Sequence, residues 1–160
     1  MKHLKIPTAA LVLLLCSSNV LADDKTVVQS FYDFLSNPAS AEAANTFKES
    51  TSESWISIGD YSGENKNRDQ FIGQVSGFFA KLIPNLNWEV QEMIQEANKV
   101  VVRGRASGTP NGPFFGVDGN GKSFDILTID IHEIENGKIV SSYHVEDLSL
   151  IHISEPTRPY

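Results

Sequence analysis

The sequence contains a single cysteine, Cys16, and that residue lies in an apolar stretch near the N-terminus. An internal disulfide is therefore excluded, and so is thiol chemistry anywhere after residue 16. Basic residues are also scarce, because 13 Lys and Arg stand against 20 Asp and Glu, giving a formal net charge of −7. Such an acidic chain argues against a nucleic-acid or anionic-membrane partner.

Long apolar runs are missing as well, since residues 9–16 (AALVLLLC) are too few to span a bilayer as a stable helix. Lys2 and Lys5 precede this run and Val20-Leu21-Ala22 follows it, which is typical of a secretory signal cleaved before Asp23. We therefore expect residues 1–22 to be a signal peptide and the mature protein to be periplasmic or secreted, with no membrane segment. The alternatives are an uncleaved anchor and a lipoprotein processed at Cys16.

The C-terminal end has an unusual composition. Residues 148–158 read LSLIHISEPTR, which resembles the translation of a transposon end joined to an adapter used in preparing DNA sequencing libraries. We interpret residues 148–160 as a non-native tail, with a genuine exposed tail as the alternative. His152 and Glu155 are therefore left out of every argument about a site.

Residues 23–147 have the composition and patterning of one α+β domain. Hydrophobic residues make up 41% of the chain and nine are Phe, enough for a folded core. Apolar residues at helical spacing predict helices over 24–35, 39–49 and 67–82, the last capped by Asn67 and ended by Pro84. The period then changes to two and predicts strands from residue 85 and over 99–107, 123–134 and 138–147, after a short strand at 54–58. Helices followed by antiparallel strands indicate an α+β fold.

Several short motifs in this order resemble the SnoaL-like polyketide cyclases, also called ester cyclases, a branch of the nuclear transport factor 2-like superfamily. They are VVVR at 100–103, a glycine-rich stretch from Gly108 to the Gly-Lys at 121–122, NGKI at 136–139, and the spacing of Tyr143 and Asp147. The resemblance implies a cone-shaped fold in which three helices pack on a curved antiparallel sheet and leave a pocket for a small molecule.

The resemblance also implies a catalytic pair at Asp130 and His144. SnoaL-like cyclases have a His on the next-to-last strand and an acid/base Asp on the last; aligned on 137–139, this sequence has the two residue types exchanged. The spacing supports proximity independently. A three-residue loop at 135–137 would set Asp130 opposite Ser142 and His144 one diagonal away, at roughly 7–8 Å between Cα atoms. A two-residue Asn-Gly turn would shift the register and part the two faces.

A carboxylate beside an imidazole is a workable acid/base pair, because the carboxylate orients the ring and favours its charged form. We expect proton-transfer chemistry on a carbonyl compound, without a cofactor. Further candidate pocket residues are His132, Tyr143, Asp147 and Trp55. Tyr32 and Tyr61 are also candidates for the pocket wall.

Alternation on the next-to-last strand leaves two assignments open. Thr128, Asp130 and His132 share one face, whereas Leu127, Ile129 and Ile131 share the other. By pattern alone the polar face belongs to solvent and the apolar face to the core. The family resemblance implies the reverse, with the polar face lining the pocket and the apolar face forming a homodimer.

Two further hypotheses concern charged groups. Asp130, His132, His144 and Glu146 share parity and could present metal ligands, but no tight ligand spacing supports this, so no metal is predicted. Arg103 and Arg105 alternate on a strand of valines and are interpreted as surface side chains, with an anion contact at the pocket rim as the alternative.

The sequence therefore predicts an exported SnoaL-like enzyme that acts on a small carbonyl compound by cofactor-free acid/base chemistry. The alternative is a non-catalytic small-ligand-binding domain of the same fold, because one fold can host both.

Overall fold

In the computed structural model, which describes residues 23–114 and 121–147, two helices open the domain. They are α1 (Asp24–Ser36) and α2 (Ala41–Ser50). The side chain of Ser40 caps α2 by accepting a hydrogen bond from the N–H of Ala43. Both helices were predicted to within two residues, although Asp24, the expected cap of α1, is its first helical residue.

A third helical region follows the first strand pair and contains three consecutive segments: α3 (Arg68–Ile72), a π-helical segment (Gly73–Phe79) and α4 (Ala80–Leu82). Asn67 and Gln70 cap its start reciprocally, as the sequence suggested for Asn67. The π-helical turns alter which side chains face inward. Val75 is buried, whereas Phe78, which the predicted apolar stripe included, is 52% exposed.

Within the described residues, six strands form one sheet in the order β2-β1-β6-β5-β4-β3. The strands are β1 (Thr51–Ile58), β2 (Lys66–Asn67), β3 (Asn87–Glu96), β4 (Lys99–Gly108), β5 (Phe124–Glu135) and β6 (Lys138–Glu146). Neighbouring strands are antiparallel except for β1 and β6, which run parallel. β2 was not predicted, because its two residues lie in a segment too polar to show a strand pattern.

The β5–β6 hairpin differs from the predicted three-residue loop. Asn136 and Gly137 both have positive φ and form a two-residue turn, with Glu135 paired to Lys138. A bulge then shifts the register between Ile134 and Glu133. The bulge sets Asp130 directly opposite His144 instead of on a diagonal. Asp130 and His144 therefore share a face of the sheet, although the hairpin has the two-residue turn that was expected to place them on opposite faces.

The helices cover the polar face of β5 and leave its apolar face open. Thr128, Asp130 and His132 are fully buried. Leu127, Ile129 and Ile131 are 36–52% exposed, and Val145 on β6 is 66% exposed. The assignment made from alternation alone was therefore wrong, and the polar face of β5 points inward, as the resemblance implies. Aromatic side chains from the helices and β1 fill the space beneath the polar face: Phe31, Phe34, Phe47, Trp55 and Phe71.

The arginines of β4 are surface residues, as interpreted from the sequence. Arg103 is paired with Glu92, and Arg105 lies between Asp125 and Glu89 on the neighbouring strands. Neither is found in the cavity wall described below. The described helices include none that is both long and apolar enough to cross a membrane.

Candidate active site

Asp130 is the centre of the site and is fully buried. Its Oδ2 accepts a hydrogen bond of 2.7 Å from the hydroxyl of Tyr32 on α1. Its Oδ1 lies 2.5 Å from Nδ1 of His144 on β6. Both oxygens of one carboxylate therefore join a helix to the neighbouring strand, and the predicted pair is in direct contact.

A chain of hydrogen bonds runs from Asp130 into the core. A carboxylate only accepts, so the Tyr32 hydroxyl donates to Asp130 and must accept from Nε2 of His132, 3.0 Å away. Nδ1 of a neutral His132 is then an acceptor for the Ser142 hydroxyl at 2.8 Å. Ser142 in turn accepts from the indole N–H of Trp55 at 3.0 Å. Every polar atom in this chain has a partner, and the chain fixes His132 as the Nε2–H tautomer.

Burial keeps this inner end of the chain neutral. It lowers the pKa of His132 to about 4; attraction to Asp130 opposes the shift, and repulsion from His144 adds to it. Burial likewise raises the pKa of the Tyr32 phenol far above its usual range, and the charge of Asp130 raises it further. His132 and Tyr32 therefore serve as neutral hydrogen-bonding groups near pH 7.

His144 forms the outer end of the chain and its side chain is 28% exposed. Its Nε2 lies 3.0 Å from Oε1 of Glu146. Burial lowers the pKa of His144, but hydrogen bonds and attraction to Asp130 and Glu146 outweigh it and raise the pKa to about 10. Near pH 7 the ring is therefore an imidazolium held between two carboxylates.

A cavity of about 180 Å³ opens beside His144, between the sheet and the third helical region. The polar strand residues in its wall come from β1, β2 and β6, whereas β3, β4 and β5 contribute apolar residues. The Trp88 ring lies 5.9 Å from the His144 imidazole. The described wall includes the polar Ser57, Lys66, Gln74, His144 and Glu146 and the apolar Phe31, Leu35, Phe71, Val75, Phe79, Trp88, Ala106, Phe114, Phe124 and Ile126.

The predicted site residues take different places around this cavity. His144 is in the wall, and Asp130 lies directly behind it. His132 and Trp55 are in the core and do not reach the wall. Tyr143 is next to His144 on β6, and neighbouring residues on a strand point to opposite faces, so its side chain points away from the cavity. Its strand partner is Ile131, which also points outward.

Asp147, another predicted pocket residue, is exposed just after β6, where its N–H donates to the carbonyl of Leu127. The structure therefore does not bring Tyr143 or Asp147 into the pocket. Tyr61 is 97% exposed and also lies outside it.

Among the residues described, no group of three or more His, Cys, Asp or Glu side chains is arranged to hold a metal ion. Three of the four residues considered for a metal pair with one another, and the fourth, His132, contacts Tyr32 and Ser142. His144 contacts both Asp130 and Glu146.

Sequence reasoning missed the roles of three residues. Tyr32 was a candidate for the wall and is instead the buried partner of Asp130. Ser142 was expected opposite Asp130 and lies opposite His132. Glu146 was considered only as a metal ligand, although its parity with His144 on one strand was a signal that both face the same space.

This α+β fold, with helices covering one face of a curved sheet and a carboxylate–imidazole pair beside a cavity, is that of the nuclear transport factor 2 and ketosteroid isomerase-like proteins. Residues 25–152 match the model of the SnoaL-like polyketide cyclases, and the chain belongs to that family. No curated protein matches the sequence.

Solved structures agree with this fold. A protein from a Jannaschia species, assigned as a SnoaL-like polyketide cyclase, is 23% identical with a TM-score of 0.71, covering 88% of this chain and 97% of its own. IdmH from Streptomyces antibioticus, assigned as a polyketide cyclase, is 20% identical with a TM-score of 0.68, covering 82% and 96%. A Catenulispora acidiphila protein with a ketosteroid isomerase-like fold is 12% identical with a TM-score of 0.59, covering 74% and 83%.

Proposed function

We propose that this protein is an enzyme that moves protons on a small carbonyl compound without a cofactor, and that His144 is the group that meets the substrate. The observation that carries the proposal is the 2.5 Å contact between Nδ1 of His144, in the cavity wall, and the buried carboxylate of Asp130. Membership of the SnoaL-like family supports a small-molecule role of the cyclase or isomerase kind.

Asp130 acts on the substrate only through His144. Its Oδ1 fixes the rotation of the ring and keeps a proton on Nδ1, while Tyr32 holds Oδ2. Nε2 carries the other N–H, which points at Glu146 in the cavity wall and can be shared with a carbonyl oxygen that enters the cavity. Such a donor stabilises the negative charge that develops on a carbonyl oxygen when a neighbouring carbon loses a proton. Positioned acid/base groups of this kind contribute about 10²–10⁴-fold to a rate.

The shape of the cavity indicates a class of ligand. A volume of about 180 Å³ is below the roughly 300–1,000 Å³ of sites for drug-sized molecules. Its lining is mainly aromatic and aliphatic and includes a few polar side chains, His144 among them. The favoured substrate is therefore a small compound with an apolar body and a carbonyl group at one end.

A small-ligand-binding domain without catalysis is the second candidate. The observation that favours it is the large apolar share of the wall, which by itself would bind a hydrophobic molecule without changing it. The two candidates differ in whether a bound carbonyl compound loses carbon-bound protons.

Deuterium exchange tests the proposal without knowledge of the natural substrate. A panel of small aryl ketones and β-diketones is incubated with the protein in D₂O, and loss of α-proton signals is followed by NMR. We expect His144→Ala to slow exchange by about 10²-fold or more with little change in probe affinity. Glu135→Gln, at an exposed residue outside the described cavity wall, is the control. Binding of probes without any exchange by the wild type would favour the binding domain.

We also propose that the protein is exported and forms a homodimer. The leader pattern of residues 1–22, which lie outside the described residues, supports export; a mature protein that begins at Asp23 in mass spectrometry is the expected result. The exposed side chains of Leu127, Ile129, Ile131 and Val145 support a dimer through the outer face of the sheet. A purely monomeric species at micromolar concentration in sedimentation would contradict it.

A further inference from the structure

We infer that Glu146 is a second catalytic residue, the base that takes a proton from the carbon beside the substrate carbonyl while His144 protonates the carbonyl oxygen. This inference rests on the proposed function and deepens it. It assigns the two proton transfers to two different side chains of β6.

Glu146 occupies a position suited to a catalytic base. It is two residues from His144 on β6, so both side chains point to the same face of the sheet. Both are in the cavity wall, and Glu146 is the only carboxylate among its described lining residues. The side chain of Glu146 is 19% exposed, so it is accessible from the cavity but sheltered from bulk solvent.

The positions of the protons on His144 and Glu146 also support this role. The carboxylate of Asp130 only accepts, so Nδ1 of His144 holds a proton. Nε2 lies 3.0 Å from a carboxylate oxygen of Glu146, and two bare lone pairs would repel at that distance. One further proton must therefore lie between them. Attraction to Asp130 and Glu146 raises the pKa of His144 and so places that proton on the ring.

The other groups facing this pair do not alter that assignment. His132 is held neutral by burial, which lowers its pKa, and Trp88 presents an uncharged ring. Lys66, also in the cavity wall, is a donor only and adds no competing acceptor. The resting site is thus an imidazolium donor beside a carboxylate acceptor, both open to the cavity.

The reaction then balances without an added reagent. A carboxylate oxygen of Glu146 takes the proton as the C–H bond breaks, and the electron pair of that bond moves towards the carbonyl oxygen. That oxygen takes the Nε2 proton, which leaves an enol, a neutral His144 and a protonated Glu146. Return of the Glu146 proton to a carbon, with return of the enol proton to Nε2, restores the site. Delivery to a different carbon is an isomerisation.

Three proteins test this inference: Glu146→Gln, Glu146→Asp and the control Glu135→Gln, which changes an exposed residue at the end of β5. We expect Glu146→Gln to lower α-proton exchange by at least about 10²-fold while probe affinity changes little. Glu146→Asp retains the charge but draws it back, so its exchange should fall between those of Glu146→Gln and the wild type. Glu135→Gln should match the wild type.

Histidine NMR tests the ion pair between His144 and Glu146 separately from catalysis. The titration midpoint of His144 should shift to lower pH in Glu146→Gln, with the folded spectrum otherwise retained, and remain in place in Glu135→Gln. Wild-type exchange that survives Glu146→Gln but is lost in His144→Ala would overturn the role of Glu146 alone. Absence of exchange by the wild type with every probe would overturn the proposed function and this role together.

Discussion

His132 and His144 lie on adjacent strands beside the same carboxylate, yet the structure gives them opposite charge states. His132 is fully buried, its ring nitrogens are bonded to two hydroxyls, and its pKa is lowered to about 4. His144 is partly exposed, its ring nitrogens face two carboxylates, and its pKa is raised to about 10. Nearness to Asp130 therefore does not decide the charge of a histidine in this site.

The hydrogen-bond partners of the two rings account for a structural imidazole at His132 and a reactive one at His144. A neutral hydroxyl can accept or donate, so the His132 ring is satisfied without an added proton. Two carboxylates can only accept when ionised, so the His144 ring is satisfied only when both nitrogens carry hydrogen. Burial and two hydroxyl partners keep His132 neutral, whereas direct bonds to the carboxylates of Asp130 and Glu146 hold the charge on His144.

Asp130→Asn should disturb the arrangement of the two histidines more than any other substitution considered below. The amide would face the two donors that the carboxylate now accepts from, so one of Tyr32 and His144 would lose its acceptor. We expect a loss of about 3 kcal/mol in the free energy of unfolding and a marked fall in the pKa of His144. Urea unfolding and histidine NMR measure the two effects.

Asp125→Asn is the matched control for that variant. It removes a carboxylate that pairs with Arg105 on the outer face of the same strand, where both groups are exposed. Exposed pairs contribute little, so its unfolding curve should stay close to that of the wild type. Equal losses in the two variants would contradict a special role for the buried carboxylate.

The pH dependence of stability should also distinguish the two histidines. Below pH 6.5 the unfolded chain protonates His132 while the folded protein does not, so stability should fall as pH drops towards about 4. Above pH 6.5 the folded protein retains the His144 proton that the unfolded chain releases, so stability should fall as pH rises towards about 10. Each decline should have a slope of at most about 1.4 kcal/mol per pH unit between the two pKa values.

Urea unfolding of the wild type and His144→Gln across this pH range separates the two contributions. The alkaline decline should shrink in His144→Gln, because the raised pKa is gone, whereas the acid decline assigned to His132 should remain. An alkaline decline that is unchanged in the variant would contradict an imidazolium at His144.

The sequence predicted most of the fold because the periodic segments are long. Both N-terminal helices, β4 and β5 were predicted to within two residues of their observed ends. The turn and bulge of the β5–β6 hairpin were not, because glycine at residue 137 suits both a two-residue turn and a three-residue loop. The π-helical segment was missed because the apolar stripe of 71–82 fits an ordinary helix equally well.

The site was predictable only where its residues lie close in the sequence. Asp130 and His144 are on consecutive strands, so hairpin spacing and the family resemblance could place them together. Tyr32 and Trp55 reach their partners across 98 and 87 residues, which no local pattern reports. The direction of the hydrogen-bond chain, and with it the roles of the two histidines, depends on these distant contacts.

Thr128→Val should have only a small effect. It tests whether every residue on the polar face of β5 belongs to the hydrogen-bond chain. Thr128 lies two residues before Asp130 on that face and is fully buried, yet its hydroxyl has no hydrogen-bond partner among the described residues. Valine has nearly the same shape and removes this unsatisfied group, so we expect the free energy of unfolding to rise by up to about 1 kcal/mol. The pKa of His144 and α-proton exchange should not change, because Thr128 contacts neither Asp130 nor His144 through a hydrogen bond. Ser142→Ala, which leaves Trp55 and His132 without their shared hydroxyl, should do the opposite and destabilise the protein. Destabilisation by Thr128→Val would mean that its hydroxyl is satisfied and that the polar chain extends along the whole face of β5.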